Sequence, residues 1–292
     1  MDVDALLSTD AASGRVALAA RVALSQTNPA VACPRYFGAL ERALIDEPPP
    51  FDTVAYADLY HDASASWRWM AVSLITNAER EGDGAKRLWS LAACSDEEEI
   101  QRLLKQHAVD ESRHALLYLA LLDLTFPEGV DPSFRQDLDQ LSPHYSLKQD
   151  LVAAEGSPYA KKPSVDDFLQ MNIAEIRTAI HHIMQRPAIT RHCSADKQKP
   201  ITAIQDSLLR DELRHIAYTA ALIERMAGNL TAEKVASLFR RRFHDFNQIT
   251  RDELGEGAFD CSVSCCAKHQ GCRSKVPSMT DGVLLEFSAM SH

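Results

Sequence analysis

Two pentapeptides of nearly identical sequence carry the residues best suited to binding metal. Asp-Glu-Ser-Arg-His begins at Asp110 and Asp-Glu-Leu-Arg-His begins at Asp211. Residues three apart in a helix project from the same face, so the Glu and the His of each copy lie side by side. A carboxylate and an imidazole held in this way can bind one divalent ion or two adjacent ones. The repeated spacing predicts a metal site with four ligands: Glu111, His114, Glu212 and His215.

Apolar residues around both pentapeptides indicate that the Glu-His pairs point into the protein core. At about 100° per residue, the helix face of Glu111 also carries Leu104 and Leu121. The face of Glu212 carries Leu208 in the same way. An ionised carboxylate buried without a partner is costly, so cations, paired charges or protonation must compensate it. A bound metal ion supplies that compensation most directly.

A complete site for two divalent ions needs further carboxylates, and each remaining core helix offers one. The third core helix has Glu175 beside the apolar Phe168. In the first core helix, Glu79 and Glu81 are the alternatives. The centre of that helix's apolar face lies within about 30° of Glu81 but about 130° from Glu79. We therefore expect Glu81 and Glu175 to complete the ligand set.

Helices are the predicted elements that position these residues, so the fold class is all-α. Apolar residues recur at three- and four-residue intervals, and only 11 of 292 residues are glycine. Ser95 and Glu98 predict a capping box at the start of the second core helix. A long segment rich in Pro, Asp, Ser and Gly, about 126–163, joins two helical hairpins, which is the connectivity of a ferritin-like four-helix bundle with one crossover. The predicted core helices span about residues 63–93, 95–124, 165–185 and 201–227, with a loop at 186–199.

Extra helices and a tail flank the predicted core. Flanking helices are expected at about 11–25, 34–45 and 231–254, so one helical domain covers residues 1–254 with its bundle core at about 63–227. Residues 255–292 form a tail that contains Cys261, Cys265, Cys266, Cys272 and His269. Thiolate and imidazole suit zinc, but the spacing is irregular. A zinc or other thiolate site and a tail with free thiols both stay open.

Composition and charge limit the classes of partner and location. There are 41 acidic against 31 basic residues, a formal charge of -10, which argues against a nucleic-acid partner. The sequence lacks a basic, apolar leader and any run of about 20 apolar residues, which favours a cytoplasmic protein without a membrane anchor. Cys33, Cys94 and Cys193 are scattered, so we expect them to be reduced thiols.

The charged residues inside the two pentapeptides predict a supporting role for the histidines. A metal-bound imidazole usually donates its other ring N–H to a carboxylate, and an arginine can hold that carboxylate. Solvated charges that pair three residues apart along each helix are the alternative. The residues assigned this supporting role are Asp110, Arg113, Asp211 and Arg214.

At these residues the sequence resembles the non-haem dimetal carboxylate proteins of the ferritin-like superfamily. These include bacterial multicomponent monooxygenase hydroxylases, arylamine N-oxygenases, ribonucleotide reductase small subunits and ferritins. The Asp-Glu-x-Arg-His form is most similar to the monooxygenase hydroxylases, and the resemblance covers about residues 63–227. It implies two iron ions, or a manganese and an iron ion, with O2 as co-substrate. The implied ligands are Glu81, Glu111, His114, Glu175, Glu212 and His215.

Three further residues gain a role only through this resemblance. Arylamine N-oxygenases carry a third histidine near the site, and the two candidates are His107, one turn before Glu111, and His182, two turns after Glu175. Each also fits a hydrogen-bonded core histidine. Tyr118 occupies the place of the radical tyrosine of the reductase subunit, although core packing accounts for it more simply.

The chain also departs from the monooxygenase hydroxylases. Those proteins usually carry a threonine four residues after the third-helix Glu, whereas this chain has Ala179 there and Thr178 one step away. Their scheme of proton handling is therefore in doubt for this chain. The chain is also much shorter than their catalytic subunits, which favours a stand-alone enzyme that modifies small molecules in a biosynthetic pathway.

Three functions follow from these patterns as hypotheses. The first is a di-iron oxygenase or oxidase that uses O2 to hydroxylate or N-oxygenate a small organic substrate. A separate reductase or ferredoxin would supply electrons, because the sequence contains no G-x-G-x-x-G fingerprint for a dinucleotide cofactor. Assembly as a homodimer stays open. The second is a ferritin-like protein that oxidises and binds iron. The third is a metal-free helical scaffold whose core charges pair with one another.

Overall fold

Helices account for most of the chain in the computed structural model, which describes residue 6, residues 14–27 and residues 31–254. These described residues contain no strand, so the all-α prediction is confirmed. The predicted tail at 255–292, with its cysteine cluster, lies outside them. The helices of the described part are α1 (Arg15–Ser25), α2 (Pro34–Asp46), α3 (Val54–Ala63), α4 (Trp67–Ala93), α5 (Glu98–Thr125), α6 (Pro132–Leu138), α7 (Val165–His192), α8 (Gln198–Met226) and α9 (Ala232–Leu254).

The four longest helices of the described part, α4, α5, α7 and α8, are arranged as two hairpins. Short connections at 94–97 and 193–197 join α4 to α5 and α7 to α8, and each of these pairs packs extensively along its length. The hairpins meet where α5 packs against α8 and α4 against α7. A single long connection, residues 126–164, links the two hairpins and includes the short helix α6. Two helix pairs therefore face each other across one shared interior.

The predicted capping box at the start of α5 is wrong. The helix begins at Glu98, and the Ser95 hydroxyl instead accepts a hydrogen bond from the Glu97 amide at 3.3 Å and donates to the Glu97 carbonyl at 3.2 Å. The carboxylates of Glu97 and Glu99 both pair with Arg225 of α8, at 2.9 Å each. Acidic groups at a helix N-terminus also interact favourably with its dipole, so charge stabilises this end without a hydroxyl cap.

Helix α7 continues through Pro187 to His192, so the predicted loop at 186–199 is wrong for its first seven residues. Proline removes one backbone donor and normally interrupts a helix. Here Pro187 is exposed, whereas Ala188 and Ile189 are 2% and 0% exposed. Burial of the last turn therefore offsets the hydrogen bond that proline cannot make.

The flanking helices cover the second hairpin. α9 packs against α2 and α7, and α1 packs against α8. Arginines of α9 fix this arrangement, since Arg240 pairs with Asp46 of α2 at 2.7 Å and Arg242 pairs with Asp166 of α7 at 2.6 Å. Helices α1, α2 and α9, from the two ends of the described chain, thus pack over α7 and α8. Among the described residues, no helix combines the length and apolar character needed to cross a bilayer.

A close backbone approach brings the long connection against the middle of α4. A Cβ placed on Gly82 would lie 1.9 Å from the Leu141 carbonyl oxygen, which belongs to the 3-10 turn Asp139–Leu141. Only glycine leaves room for that carbonyl. The long connection therefore packs against α4 at Gly82, the residue next to the predicted ligand Glu81.

Candidate metal centre

The structure places all six predicted ligands in the shared interior of the two hairpins. One carboxylate comes from α4, a Glu-His pair from α5, one carboxylate from α7 and a Glu-His pair from α8. None of the six is more than 8% exposed, whereas Glu79, the alternative to Glu81, is exposed. Helical periodicity explains this, because the ligand positions share a face with the apolar residues that hold the hairpins together.

One group of potential ligand atoms joins three helices. His107, Glu111, Glu175 and His215 each offer a donor atom, and all four atoms lie within 4.8 Å of one another. His107 Nε2 lies 3.1 Å from Glu111 Oε1 and 3.3 Å from Glu175 Oε1, and His215 Nδ1 lies 3.5 Å from Glu175 Oε2. His107, one turn before Glu111, therefore belongs to this group together with three of the six predicted ligands.

A second group shares Glu111 with the first. Glu81, Glu111 and His114 offer atoms within 4.8 Å of one another. Glu212 lies between the groups, with Oε1 3.4 Å from His114 Nδ1 and Oε2 3.6 Å from His215 Nδ1. Two carboxylates thus span two adjacent sets of donors. These residues could hold two divalent ions, with Glu111 and Glu212 each close to both sets of donors.

Buried atoms without hydrogen-bond partners test whether the donor set fits metal. Among the described residues, six such atoms face this interior, and they come from both histidine-carboxylate pairs and from His107. Leaving a buried polar atom unpaired costs about 1–3 kcal/mol. Imidazole nitrogens and carboxylate oxygens are the donors that iron, manganese and zinc prefer. The residues present therefore fit divalent metal ions. The six atoms are His107 Nε2, Glu111 Oε1, His114 Nδ1, Glu212 Oε1, Glu212 Oε2 and His215 Nδ1.

The four buried carboxyl groups have strongly divergent acidities. Burial and the neighbouring Glu111 raise the pKa of Glu81 well above its ordinary value, and burial with the neighbouring Glu175 does the same to Glu212. Burial also opposes ionisation of Glu111 and Glu175. Hydrogen bonds from Glu81 and His107 nevertheless hold the pKa of Glu111 well below its usual range, and the charge of His107 lowers that of Glu175. Four carboxylates can ionise together here only beside compensating positive charge, which two divalent cations would provide in equal amount.

The histidines are oriented by carboxylates from the opposite pentapeptide. His114 Nε2 donates to Asp211 Oδ2 at 3.3 Å, and His215 Nε2 donates to Asp110 Oδ2 at 3.4 Å. A carboxylate can only accept, so each histidine carries its proton on Nε2 and turns Nδ1 inward. This is the arrangement by which metal-ligating histidines are commonly fixed.

Two arginines complete this crossed arrangement between α5 and α8. The guanidinium of Arg113 hydrogen-bonds to Asp211, and Arg214 Nη2 donates to Asp110 Oδ2 at 2.7 Å. Both aspartates are buried, which acts to raise their pKa values, but hydrogen bonds from the histidines and then the charges of the arginines lower the pKa of each below its ordinary value. The two pentapeptides thus exchange partners across the helix interface. Pairing along a single helix, the alternative interpretation of these charges, accounts for only some of their contacts.

His182 and Tyr118 lie beside the centre and outside both donor groups. His182 Nε2 is 3.5 Å from Glu212 Oε1 and 3.4 Å from the Tyr118 hydroxyl. Burial and the neighbouring His114 lower the pKa of His182 to about 3, so its ring is neutral. Burial raises the pKa of Tyr118 well above its usual range. A neutral histidine therefore lies between Tyr118 and Glu212.

Tyr218 is a contributor that the sequence did not single out. Its hydroxyl lies 2.6 Å from His107 Nδ1. If His107 Nε2 binds metal, Nδ1 carries the ring proton and donates to this oxygen, which fixes the ring. The available signal was the spacing, because Tyr218 follows His215 by three residues and shares its helix face.

A cavity of about 340 Å³, not foreseen from the sequence, reaches the centre from one side. It lies between α4, α7 and α9, and Glu81, Glu111 and Glu175 form part of its wall. Gly84 contributes to the opening, since a Cβ there would meet only Glu111 Oε2, at 3.7 Å. Thr178 lines this cavity, whereas Ala179, at the position where the resembled hydroxylases carry threonine, is fully buried. The neighbouring threonine, Thr178, is thus the one of the two residues that lines the cavity.

Comparison of this chain with protein-family models, with curated proteins and with solved structures finds no match.

Proposed function

We propose that this protein is a ferritin-like dimetal oxidoreductase that uses O2 to oxidise a small organic substrate. The observation that carries the proposal is the pair of buried donor groups sharing Glu111, with a cavity leading to them. Two hairpins joined by one long connection, each contributing one carboxylate and one Glu-x-x-His pair, support the assignment to ferritin-like dimetal proteins. Iron is the metal that suits mixed nitrogen and carboxylate ligation together with O2 chemistry.

The cavity favours substrate oxidation over the alternatives. Its lining includes Leu88, Leu91 and Met171 on the way to the candidate ligands. An apolar pocket with a few polar groups is typical of a site for an organic molecule. A metal-free scaffold needs no such route to its interior.

Each group of side chains has a distinct part in the proposed chemistry. Two bound iron ions would supply the electrons and the Lewis acidity that O2 reduction requires. Glu111 and Glu212 would hold both ions, and the other ligands would hold one each. Asp110 and Asp211 accept from Nε2 of the histidines, which leaves the inward nitrogen Nδ1 of each ring as the atom that would bind metal. The apolar cavity wall limits water around the substrate. A reductase or ferredoxin remains the proposed source of electrons, and a homodimer remains a proposed assembly.

Anaerobic iron loading followed by exposure to O2 tests the proposal. The expected result is about two Fe(II) per chain, and rapid O2 consumption accompanied by a change in visible absorbance in a stopped-flow instrument. Stoichiometric iron without O2 consumption would overturn the enzyme assignment. Uptake of many iron ions into a large hollow oligomer would favour storage. Absence of both iron and manganese from protein grown with ample metal would favour the scaffold.

Glu79 and Glu81, two residues apart on different faces of α4, provide a matched control for the ligand assignment. Glu81→Gln should lower iron content to about one ion per chain, because Glu81 belongs to a single donor group. Glu79→Gln makes the same change on the same helix at an exposed position and should leave iron content unchanged. Glu111→Gln should lose both ions, since both groups share this carboxylate. Equal iron content in all three variants would contradict the assigned ligands.

A further inference from the structure

The cavity that reaches the candidate metal centre is long and narrow. Its lining residues extend from Arg80 to Leu91 on α4 and from Asp167 to Thr178 on α7. Each stretch covers about 16 Å, because a helix rises about 1.5 Å per residue. A volume of about 340 Å³ drawn out over that length averages about 5 Å across. Non-bonded carbon atoms pack about 3.5–4.0 Å apart, so a passage of this width holds a single file of methylene groups.

The candidate metal centre lies towards one end of this cavity. On α4, Glu81 is next to Arg80, the first lining residue, and Leu91 is the last. On α7, Glu175 is closer to the last lining residue than to the first. The part of the cavity between Glu81 and Leu91, which we call the long arm, therefore extends about 12–15 Å away from the centre.

Apolar side chains form the buried wall of the long arm. Gly84, Leu88 and Leu91 follow one another at helical spacing on one face of α4. The two leucines are 5% and 1% exposed. Met171 and Ala174 line the arm from α7. Most of the surface that lines the cavity is apolar, so a molecule in the arm is bound mainly by apolar contacts.

The charged residues along the long arm lie on its solvent side or bond to the protein itself. Asp83 and Arg87 are exposed, and the Arg87 guanidinium lies 5.4 Å from the centre of the Tyr159 ring. Asp167 accepts from the amide and the hydroxyl of Ser164, at 2.9 and 2.6 Å, in the capping box that begins α7. The arm thus combines an apolar wall on its buried side with a polar edge towards solvent.

We propose that the long arm binds a straight aliphatic chain of about ten carbon atoms, with one end of the chain beside Glu81, Glu111 and Glu175. An extended chain of carbon–carbon single bonds advances about 1.3 Å per bond. About ten carbons therefore fill the distance of about 12–15 Å between the centre and Leu91. The inference rests on the proposed function in treating the aliphatic molecule as the substrate. The preference for a straight chain is independent of turnover.

Equilibrium dialysis of straight-chain primary alcohols against the Fe(II)-loaded full-length protein, kept anaerobic, tests the length of the arm. The probes run from butan-1-ol to dodecan-1-ol and carry no charge. Affinity should rise about fourfold with each added methylene group and stop rising near about ten carbons. Absence of binding, or a rise that continues unchanged to dodecan-1-ol, overturns the proposal.

Three alcohols with the same number of carbons separate the shape of the arm from simple hydrophobicity. They are octan-1-ol, its branched isomer 2-propylpentan-1-ol and the aromatic 2-phenylethanol. Octan-1-ol should bind about tenfold or more tightly than either, because a wider molecule must push the walls apart. Equal affinity for octan-1-ol and its branched isomer would show unspecific apolar binding. Preference for 2-phenylethanol would show a site for a flat ring, and either result rejects the straight chain.

Leucine variants on α4 locate the closed end of the arm. Leu91→Ala removes part of the end wall, so the chain length at which affinity stops rising should increase by about two carbons. Leu74→Ala makes the same change at a buried position of α4 that does not line the cavity, so the limiting length should stay as in the wild type. An unchanged limit in a folded Leu91→Ala variant, or an equal increase in both variants, contradicts the placement of the chain.

Glycine variants test the part of the arm next to the centre. Gly84→Ala adds a Cβ that meets only Glu111 Oε2, at 3.7 Å, so the protein should bind decan-1-ol nearly as well as the wild type. Gly84→Leu fills the passage and should reduce binding more than tenfold, with iron content measured in parallel. Undiminished binding to an iron-loaded Gly84→Leu variant would show that the chain lies elsewhere. Straight-chain preference without O2 consumption would leave this inference standing while the proposed oxidation falls, and the converse result would do the reverse.

Discussion

Replacement of Asp211 by Asn is a direct test of the crossed arrangement of the two pentapeptides. Asp211 accepts from His114 Nε2 at 3.3 Å, and it forms ion pairs with Arg113 and with Arg214, whose Nη2 lies 2.8 Å from Asp211 Oδ1. Asparagine keeps the shape but loses the charge that holds the histidine proton on Nε2. Loss of such a supporting carboxylate typically weakens metal binding about 10- to 100-fold, which corresponds to about 1.4–2.8 kcal/mol.

The contacts of Asp211 predict that the substitution lowers the affinity for only one of the two ions. Asp211 supports His114, and Asp110 supports His215, which belongs to the other donor group. Anaerobic titration with Fe(II) against a competing chelator should therefore show one weakened step and one nearly unchanged step for Asp211→Asn. Asp110→Asn should weaken the other step.

Asp206→Asn is the matched control for Asp211→Asn. It is the same substitution on the same helix, and Asp206 is half-exposed and pairs with Arg186 away from the centre. Its two binding steps should match those of the wild type. Urea unfolding of each metal-free variant separates a loss of folding stability from a loss of affinity. Unchanged affinity for both ions in a folded Asp211→Asn variant would refute the supporting role of this carboxylate.

Two further predictions concern stability. Gly82→Ala should destabilise the protein by several kcal/mol, because the added Cβ would lie 1.9 Å from the Leu141 carbonyl oxygen. Gly38→Ala in α2 is the control: its Cβ meets nothing within 4 Å, so it should stabilise the protein by about 0.5–1 kcal/mol. Equal melting temperatures for the two variants would contradict this prediction. Burial acts to raise the pKa of Asp166, but Arg242 holds that pKa below its ordinary value. The ion pair of Asp166 therefore stabilises the folded protein above the unfolded-state pKa, and this stabilisation is lost as pH falls through the lower folded-state pKa. Asp166→Asn should therefore unfold in less urea than the wild type near neutral pH, by up to about 1 kcal/mol for so exposed a pair, with the gap closing in strong acid; a gap that widens on acidification would show the sign to be wrong.

Helical phase made the interior of the fold predictable from the sequence. Residues three or four apart share a face whatever surrounds them, so the choice of Glu81 over Glu79 needed only the positions of neighbouring apolar residues. The structure buries Glu81 and leaves Glu79 exposed. The same rule placed the Glu-His pairs of α5 and α8 in the interior.

Helix ends and contacts between helices were less predictable because they depend on tertiary partners. Ser95 and Pro187 carry local signals for a helix start and a helix end, and tertiary contacts override both. Sequence also does not specify how far α5 is shifted along α8, and this offset decides which aspartate meets which histidine. The cavity arises from the packing of three helices that are distant in sequence, so its lining residues follow only from the structure.

The exchange of partners between the two pentapeptides makes the halves of the molecule interdependent. Each hairpin supplies three of the predicted ligands but takes the carboxylate that orients its histidine from the other. Neither hairpin alone can therefore present a fully oriented set of donors. Cleavage within the long connection should yield two fragments that reassociate in the presence of metal. The same logic allows a hairpin of one copy to complete the centre of another, and the long connection provides the reach for such a swapped pair.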